Sequence, residues 1–172
     1  MRQLWAPWRM EYIQEPPPNG CFLCAAAASG DDEATLVVYR GSRCFVVLNR
    51  FPYNAGHVMV VPKDHRARIA DLADADALLI LRLIDRTIEV MEQVFHPDGY
   101  NIGLNLGRAA GAGVLDHVHV HVVPRWAGDT NFMPVLGDVK VMPEHLLATR
   151  RRLAEGFAAL AAHQVRPAPG PG

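Results

Sequence analysis

Histidine and valine alternate from His117 to Val122, with Val123, Pro124 and Arg125 behind them. A period of two belongs to a β-strand with two unlike faces, and here valine fills one and histidine the other. Same-face residues lie roughly 6.5–7 Å apart, so the three imidazoles form a row about 13 Å long, suited to face a bound phosphate chain. A tag-like metal patch would also be rich in histidine, but it would lack the interleaved β-branched face.

The same patterning predicts four earlier strands. Residues 35–40 and 44–49 read as two strands joined by a turn at Gly41 and Ser42. Residues 57–62 form a third, which ends at Pro62 and exits through Lys63, Asp64 and His65. Residues 100–106 form a fourth, with Asn101, Gly103 and Asn105 on one face and Ile102, Leu104 and Leu106 on the other. Between the third and fourth, apolar residues recur at intervals of three or four from Asp71 to Phe95, the signature of a long helix. Asp71, Asp74 and Asp76 suit its positive end, and His96 follows it as a solvated C-terminal histidine without assigned chemistry. Leu78 to Leu81 are unusually apolar for one helix face, consistent with burial on more than one side. A closing helix runs from Pro143 to about His163. The expectation is an α+β fold: a five-stranded, mainly antiparallel sheet, meandering where its links are short, with a long helix and a C-terminal helix.

Length and composition narrow the class. At 172 residues, half of them apolar, the chain suits one globular domain. That domain is expected over 21–164, after an aromatic and proline-rich arm at 1–20 and before a disordered tail at 165–172. In the arm, Trp5 and Trp8 either pack on the body or a second subunit, or stack on a nucleobase. A net charge of −1 argues against nucleic-acid or membrane-surface partners. No apolar run approaches a bilayer's thickness and the first residues lack a secretory h-region, so the expected location is cytoplasmic.

Three cysteines do not make a disulfide framework. Cys21 and Cys24 form a Cys-x-x-Cys knuckle, which reads as half a zinc site, a redox pair or simply two packed cysteines. Cys44, inside a strand, reads as a buried free thiol. Residues 107–113, rich in glycine and alanine, form a loop whose backbone N–H groups can approach a phosphate closely.

The segment HVHVHVVPR, the Gly56-His57 pair before a strand and NLGRAAGAG upstream together resemble the histidine triad (HIT) family, and 117–123 match its motif in full. The phrases WAPWRMEYI, NRFPYNAGH and PRWAGDTNF resemble most closely bacterial members related to diadenosine tetraphosphate phosphorylases and to the fragile histidine triad hydrolases. The resemblance implies a HIT-like fold and a nucleotidyl hydrolase or transferase, with dinucleoside polyphosphates as substrates and Mg2+ as an ion accompanying them. His119 would be the nucleophile, forming a nucleotidyl-histidine, while His121 and His57 stabilise the phosphates. Asn49 matches a ribose contact, and Asn105 a residue that orients phosphates and nucleophile. Backbone groups at Gly111 and Gly113 would stabilise developing charge. Where many relatives carry Gln or Ser in the loop before the triad, this chain has Ala112 and Gly113, so the loop uses its backbone or the leaving group differs. Arg108 compensates or is merely solvated. Cys21, Cys24, His65 and His117 would bind one structural zinc ion, and a homodimer is expected. The alternatives are a nucleoside phosphoramidase or adenylate hydrolase, and a non-catalytic nucleotide-binding protein.

Overall fold

The computed structural model describes residues 20–129 and 144–164. The arm bearing Trp5 and Trp8 and the C-terminal tail lie outside these, as does most of the segment before the last helix. Five strands, β1 (Val37–Arg40), β2 (Cys44–Leu48), β3 (Val58–Pro62), β4 (Gly99–Gly103) and β5 (Val120–Arg125), make one sheet in the order β1-β2-β3-β5-β4. Every neighbouring pair is antiparallel. The first three strands form the expected meander. The histidine strand breaks it by inserting between β3 and β4, so β4 becomes an edge.

Among the described residues three α-helices accompany the sheet: α1 (Phe22–Ala28), α2 (Asp74–Phe95) and α3 (Leu146–Gln164). Helix α2 packs on α3, β2 and β3, and α3 also packs on β1. The core between them includes Phe45, Leu48, Val58, Val60, Ile80, Met91, Leu153 and Phe157. Arg43 pairs with the buried carboxylate of Asp76 and ties the first turn of α2 to the start of β2.

Several boundaries differ from the sequence expectation. The Cys-x-x-Cys is no free knuckle: Cys21 caps α1 and Cys24 lies within it. The long helix starts at Asp74, after a separate 3-10 turn at Ile69–Asp71. The fourth strand stops at Gly103, which leaves Asn105 beyond the ladder, and the paired part of the histidine strand begins only at Val120. His117 and His119 therefore lie ahead of the paired strand, with His117 in a bend and the Val118 N–H donated to the Arg66 carbonyl (2.6 Å). Helix α2 buries one face here: Ile80 is inside, whereas Leu78 and Leu81 are 48% and 63% exposed. Cys44 is a buried free thiol, raised further above its ordinary pKa by that burial.

Candidate active site and metal cluster

The site begins in the link between β2 and β3. The Asn49 N–H donates to the His57 carbonyl (2.9 Å), closing the link. Inside it, the His57 N–H donates to the Asn54 carbonyl (3.1 Å), with Gly56 at φ +76° in the turn. A side chain at Gly56 would meet both Phe95 and Pro124, so glycine answers a steric need as well as a conformational one. This turn delivers His57 to the sheet fully buried.

Strand β5 brings the second imidazole. Its register sets Met59 opposite His121, and Nε2 of His57 lies 2.8 Å from Nδ1 of His121. The polarity of that bond follows from a main-chain group. The Tyr53 N–H points at Nδ1 of His57 from 3.0 Å, and a peptide N–H can only donate. Nδ1 of His57 is thus the acceptor, its proton sits on Nε2, and it donates to Nδ1 of His121. His121 in turn carries its own proton on Nε2. Burial first, and then the neighbouring His119, push the His121 pKa down to about 4, so the ring is neutral at physiological pH.

His119 is buried as well, and Nδ1 lies 2.8 Å from the carbonyl oxygen of His117. A carbonyl only accepts, so Nδ1 carries a proton, and in the neutral ring the lone pair is on Nε2. The ring meets His121 edge-on, with centroids 5.0 Å apart. An imidazole anchored through Nδ1, with its Nε2 left open, is arranged as a nucleophile whenever the ring is neutral.

The other expected residues fall around this group. The Asn105 carboxamide nitrogen lies 3.3 Å from Nε2 of His121 and 3.1 Å from the Tyr53 hydroxyl. The Asn49 carboxamide nitrogen lies 3.4 Å from Nδ1 of His57, while its oxygen accepts from the Phe51 N–H. The glycine loop contains a short 3-10 turn, and there the Gly111 N–H is already donated to the Arg108 carbonyl (3.0 Å). Gly111 thus shapes the loop through its φ of +81°, and its N–H is not available to a phosphate. The Gly113 N–H makes no such bond among the described residues. Arg108 is exposed.

Tyr53 is the residue that sequence patterning did not single out. Its ring lies 4.6 Å from that of His57 and 5.7 Å from that of His121, and its peptide N–H donates to Nδ1 of His57. The signal was an aromatic inside a run of turn formers, four positions before the buried histidine.

At the other end of the histidine row the side chain of His117 turns away, to Cys21, Cys24 and His65. The four candidate ligand atoms lie within 4.8 Å of one another. Nδ1 of His117 is 3.2 Å from Sγ of Cys21 and 3.4 Å from Sγ of Cys24, and Nδ1 of His65 is 3.2 Å from Sγ of Cys24. Each imidazole has its outer nitrogen engaged. Nε2 of His117 meets the Pro62 carbonyl (2.9 Å), and Nε2 of His65 meets Asp116 (3.3 Å). Such outer partners leave both Nδ1 atoms free for a metal. Burial, and then the Cys21 sulfur, push the Cys24 thiol up, a repulsion that a divalent cation would reverse. Two sulfurs and two imidazoles form a closed tetrahedral set, so the cluster could hold a metal ion.

The chain is similar to several known proteins. A model of the HIT domain matches residues 31–128. The AP-4-A phosphorylase of Mycobacterium tuberculosis is 42% identical over 166 residues, covering 92% of this chain and 85% of the relative. The asymmetrical bis(5'-nucleosyl)-tetraphosphatase of Schizosaccharomyces pombe is 34% identical over 93 residues, covering 54% of this chain and 50% of its own. Among solved structures, a Zn-bound histidine triad family protein from Mycobacterium smegmatis superposes with a TM-score of 0.67 at 25% identity, covering 84% of this chain and 97% of the other. Among the described residues no helix is long and apolar enough to cross a membrane. With a complete triad motif leading into β5, a buried histidine at the start of β3 and these relatives, the chain belongs to the histidine triad (HIT) family.

Proposed function

We propose that this protein cleaves dinucleoside polyphosphates, diadenosine tetraphosphate foremost, through a covalent nucleotidyl-histidine at His119. The observation that carries the reading is the fixed tautomer of His119, with Nδ1–H on the His117 carbonyl and Nε2 free beside the His57–His121 pair. The relative that is 42% identical carries the name of a phosphorylase of this substrate class.

In the first step the Nε2 lone pair forms a bond to the α-phosphorus, and the P–O bond to the leaving nucleotide breaks. The imidazole then bears positive charge, which the His117 carbonyl stabilises through Nδ1–H. The Nε2–H of His121 donates to a phosphate oxygen as negative charge accumulates there. Asn105 and the Gly113 N–H supply further donors, and Asn49 contacts the ribose. The neutral His121 suits this task, because it donates without a titration step near pH 7. In the second step water or inorganic phosphate attacks phosphorus, the P–N bond breaks and His119 is restored. Mg2+ would accompany the polyphosphate as part of the substrate.

Cys21, Cys24, His65 and His117 would hold one zinc ion, which cross-links α1 to the approach of the triad. The exposed apolar row Ile102, Leu104 and Leu106 along and beyond edge strand β4, together with Leu78 and Leu81 on α2, supports a homodimer.

The test is mass spectrometry of the products from diadenosine tetraphosphate, with and without inorganic phosphate, on wild type and His119→Ala. ADP only in the presence of phosphate identifies a phosphorylase, and products independent of phosphate a hydrolase. Undiminished turnover in His119→Ala refutes the mechanism.

A further inference from the structure

Beside His121 the structure gathers hydrogen-bond donors without an acceptor to answer them. The first follows from His57. Its Nδ1 faces two donors, the Tyr53 N–H (3.0 Å) and the carboxamide nitrogen of Asn49 (3.4 Å), whose oxygen is taken up by the Phe51 N–H. Nδ1 of His57 is therefore an acceptor, and the proton of that ring lies on Nε2, toward His121. His121 is left with its own proton on Nε2, directed away from His57. The second donor is the Asn105 carboxamide nitrogen, 3.3 Å from that Nε2. The same nitrogen reaches the Tyr53 hydroxyl oxygen at 3.1 Å. A phenol that accepts through its oxygen still has one proton to give, and among the described residues that proton meets no acceptor. The Tyr53 hydroxyl is the third donor.

Three donors around one nitrogen suit an anionic ligand. The loop before the triad leaves room for such a contribution. Ala112 and Gly113 carry no side-chain donor, and Arg108 is exposed. Tyr53 comes from a different element, the link between β2 and β3. At 49% exposure it is within reach of a ligand. Its ring is braced against His57 and His121, with centroids 4.6 and 5.7 Å away, so the hydroxyl is held in place before a ligand arrives.

We propose that Tyr53 is a further catalytic residue: its hydroxyl donates to a nonbridging oxygen of the phosphate that His121 and Asn105 hold, and so supplies the side-chain donor that the loop lacks. This role rests on the proposed function, in which that phosphate is the one attacked by His119. A neutral, preplaced O–H strengthens its bond as negative charge gathers on the phosphate oxygens. The reverse orientation of the Asn105 carboxamide makes the opposite prediction. Its oxygen would then accept from both Nε2–H of His121 and the Tyr53 hydroxyl. The phenolic proton would be spent inside the protein, and a phosphate would gain nothing from it.

Tyr53→Phe decides between them, because it keeps the ring and the peptide N–H and removes the hydroxyl alone. Calorimetric titration of the full chain with AMP and with adenosine needs no turnover, and AMP has only the one phosphate. The variant is expected to bind AMP about tenfold more weakly and adenosine as wild type does. With diadenosine tetraphosphate its kcat should fall about ten- to a hundredfold. Unchanged AMP affinity overturns the proposal and leaves the phenolic proton with Asn105. Equal weakening of AMP and adenosine overturns it as well, since the ring and not the hydroxyl would then be responsible. A wild-type protein that prefers AMP no more than adenosine also counts against it. The expected loss of AMP affinity in a protein that cleaves no nucleotide would refute the proposed function and leave the hydroxyl as a phosphate-binding group.

Discussion

Replacing Gly56 by alanine perturbs the turn that delivers His57, and its cost has two separable parts. The first is conformational: φ is +76°, and placing an L side chain there costs about 1–2 kcal/mol. The second is steric. The new Cβ would lie 3.1 Å from Cε2 of Phe95 and 3.2 Å from Cγ of Pro124. Neither is the free end of a flexible chain, since Pro124 sits in β5 and Phe95 ends α2. Overpacking against such neighbours costs about 1–3 kcal/mol. A combined loss near ~3 kcal/mol corresponds to a Tm lower by roughly 6–12 °C for a chain of this size. Gly128→Ala separates the parts, because Gly128 has φ +78° but open space where its Cβ would stand. That variant should lose only the conformational part, about 1–2 kcal/mol. Urea unfolding of both variants gives the comparison. Equal losses, or a smaller loss at Gly56, would refute the claim that Phe95 and Pro124 confine the turn.

Acid should destabilise the protein through His121. Its folded pKa of about 4 lies below the unfolded value of about 6.5, so the unfolded chain takes up the proton first. Stability from this group is full above pH 6.5 and falls, by roughly 3 kcal/mol at most, as the pH drops to 4. Urea midpoints across that range should fall less steeply in His121→Asn, and parallel profiles would contradict the assignment. Elemental analysis should find one zinc per chain. Chelation should lower Tm, with Cys24→Ser already low and insensitive to chelator; a chelator-independent wild-type Tm would count against the metal. Leu106→Glu on the exposed row beyond β4 should give a monomer by sedimentation, and an unchanged dimer would move the interface elsewhere.

Much of the fold was legible because valine-rich strands and a long amphipathic helix carry strong local periodicity. The positions of the histidines were equally legible, since a period-2 run can be read without knowing its neighbours. The strand order was not, because nothing local in His117 to Arg125 says that this strand inserts beside β3. The strand ends failed for a related reason: Asn105 and His119 continue an alternating pattern, but the ladder that would pair them has already stopped. Helix α1 was hidden by its cysteines, whose spacing suggested a metal knuckle regardless of backbone. Tyr53 escaped because it contributes a peptide N–H, a group that every residue but proline has. The Asn54–Asp129 hydrogen bond joins residues 75 apart, beyond the reach of any sequence window.

The insertion of β5 between β3 and β4 also has a consequence for the order of folding. The hairpins β1-β2 and β2-β3 close over short links and can form early. The pairing of β3 with β5 spans far more chain, with His57 and His121 separated by 64 residues, and so carries a larger loop-closure entropy. The His57–His121 pair should therefore assemble in a late step, and a nascent chain released before β5 would expose the unpaired edge of β3 and lack His121.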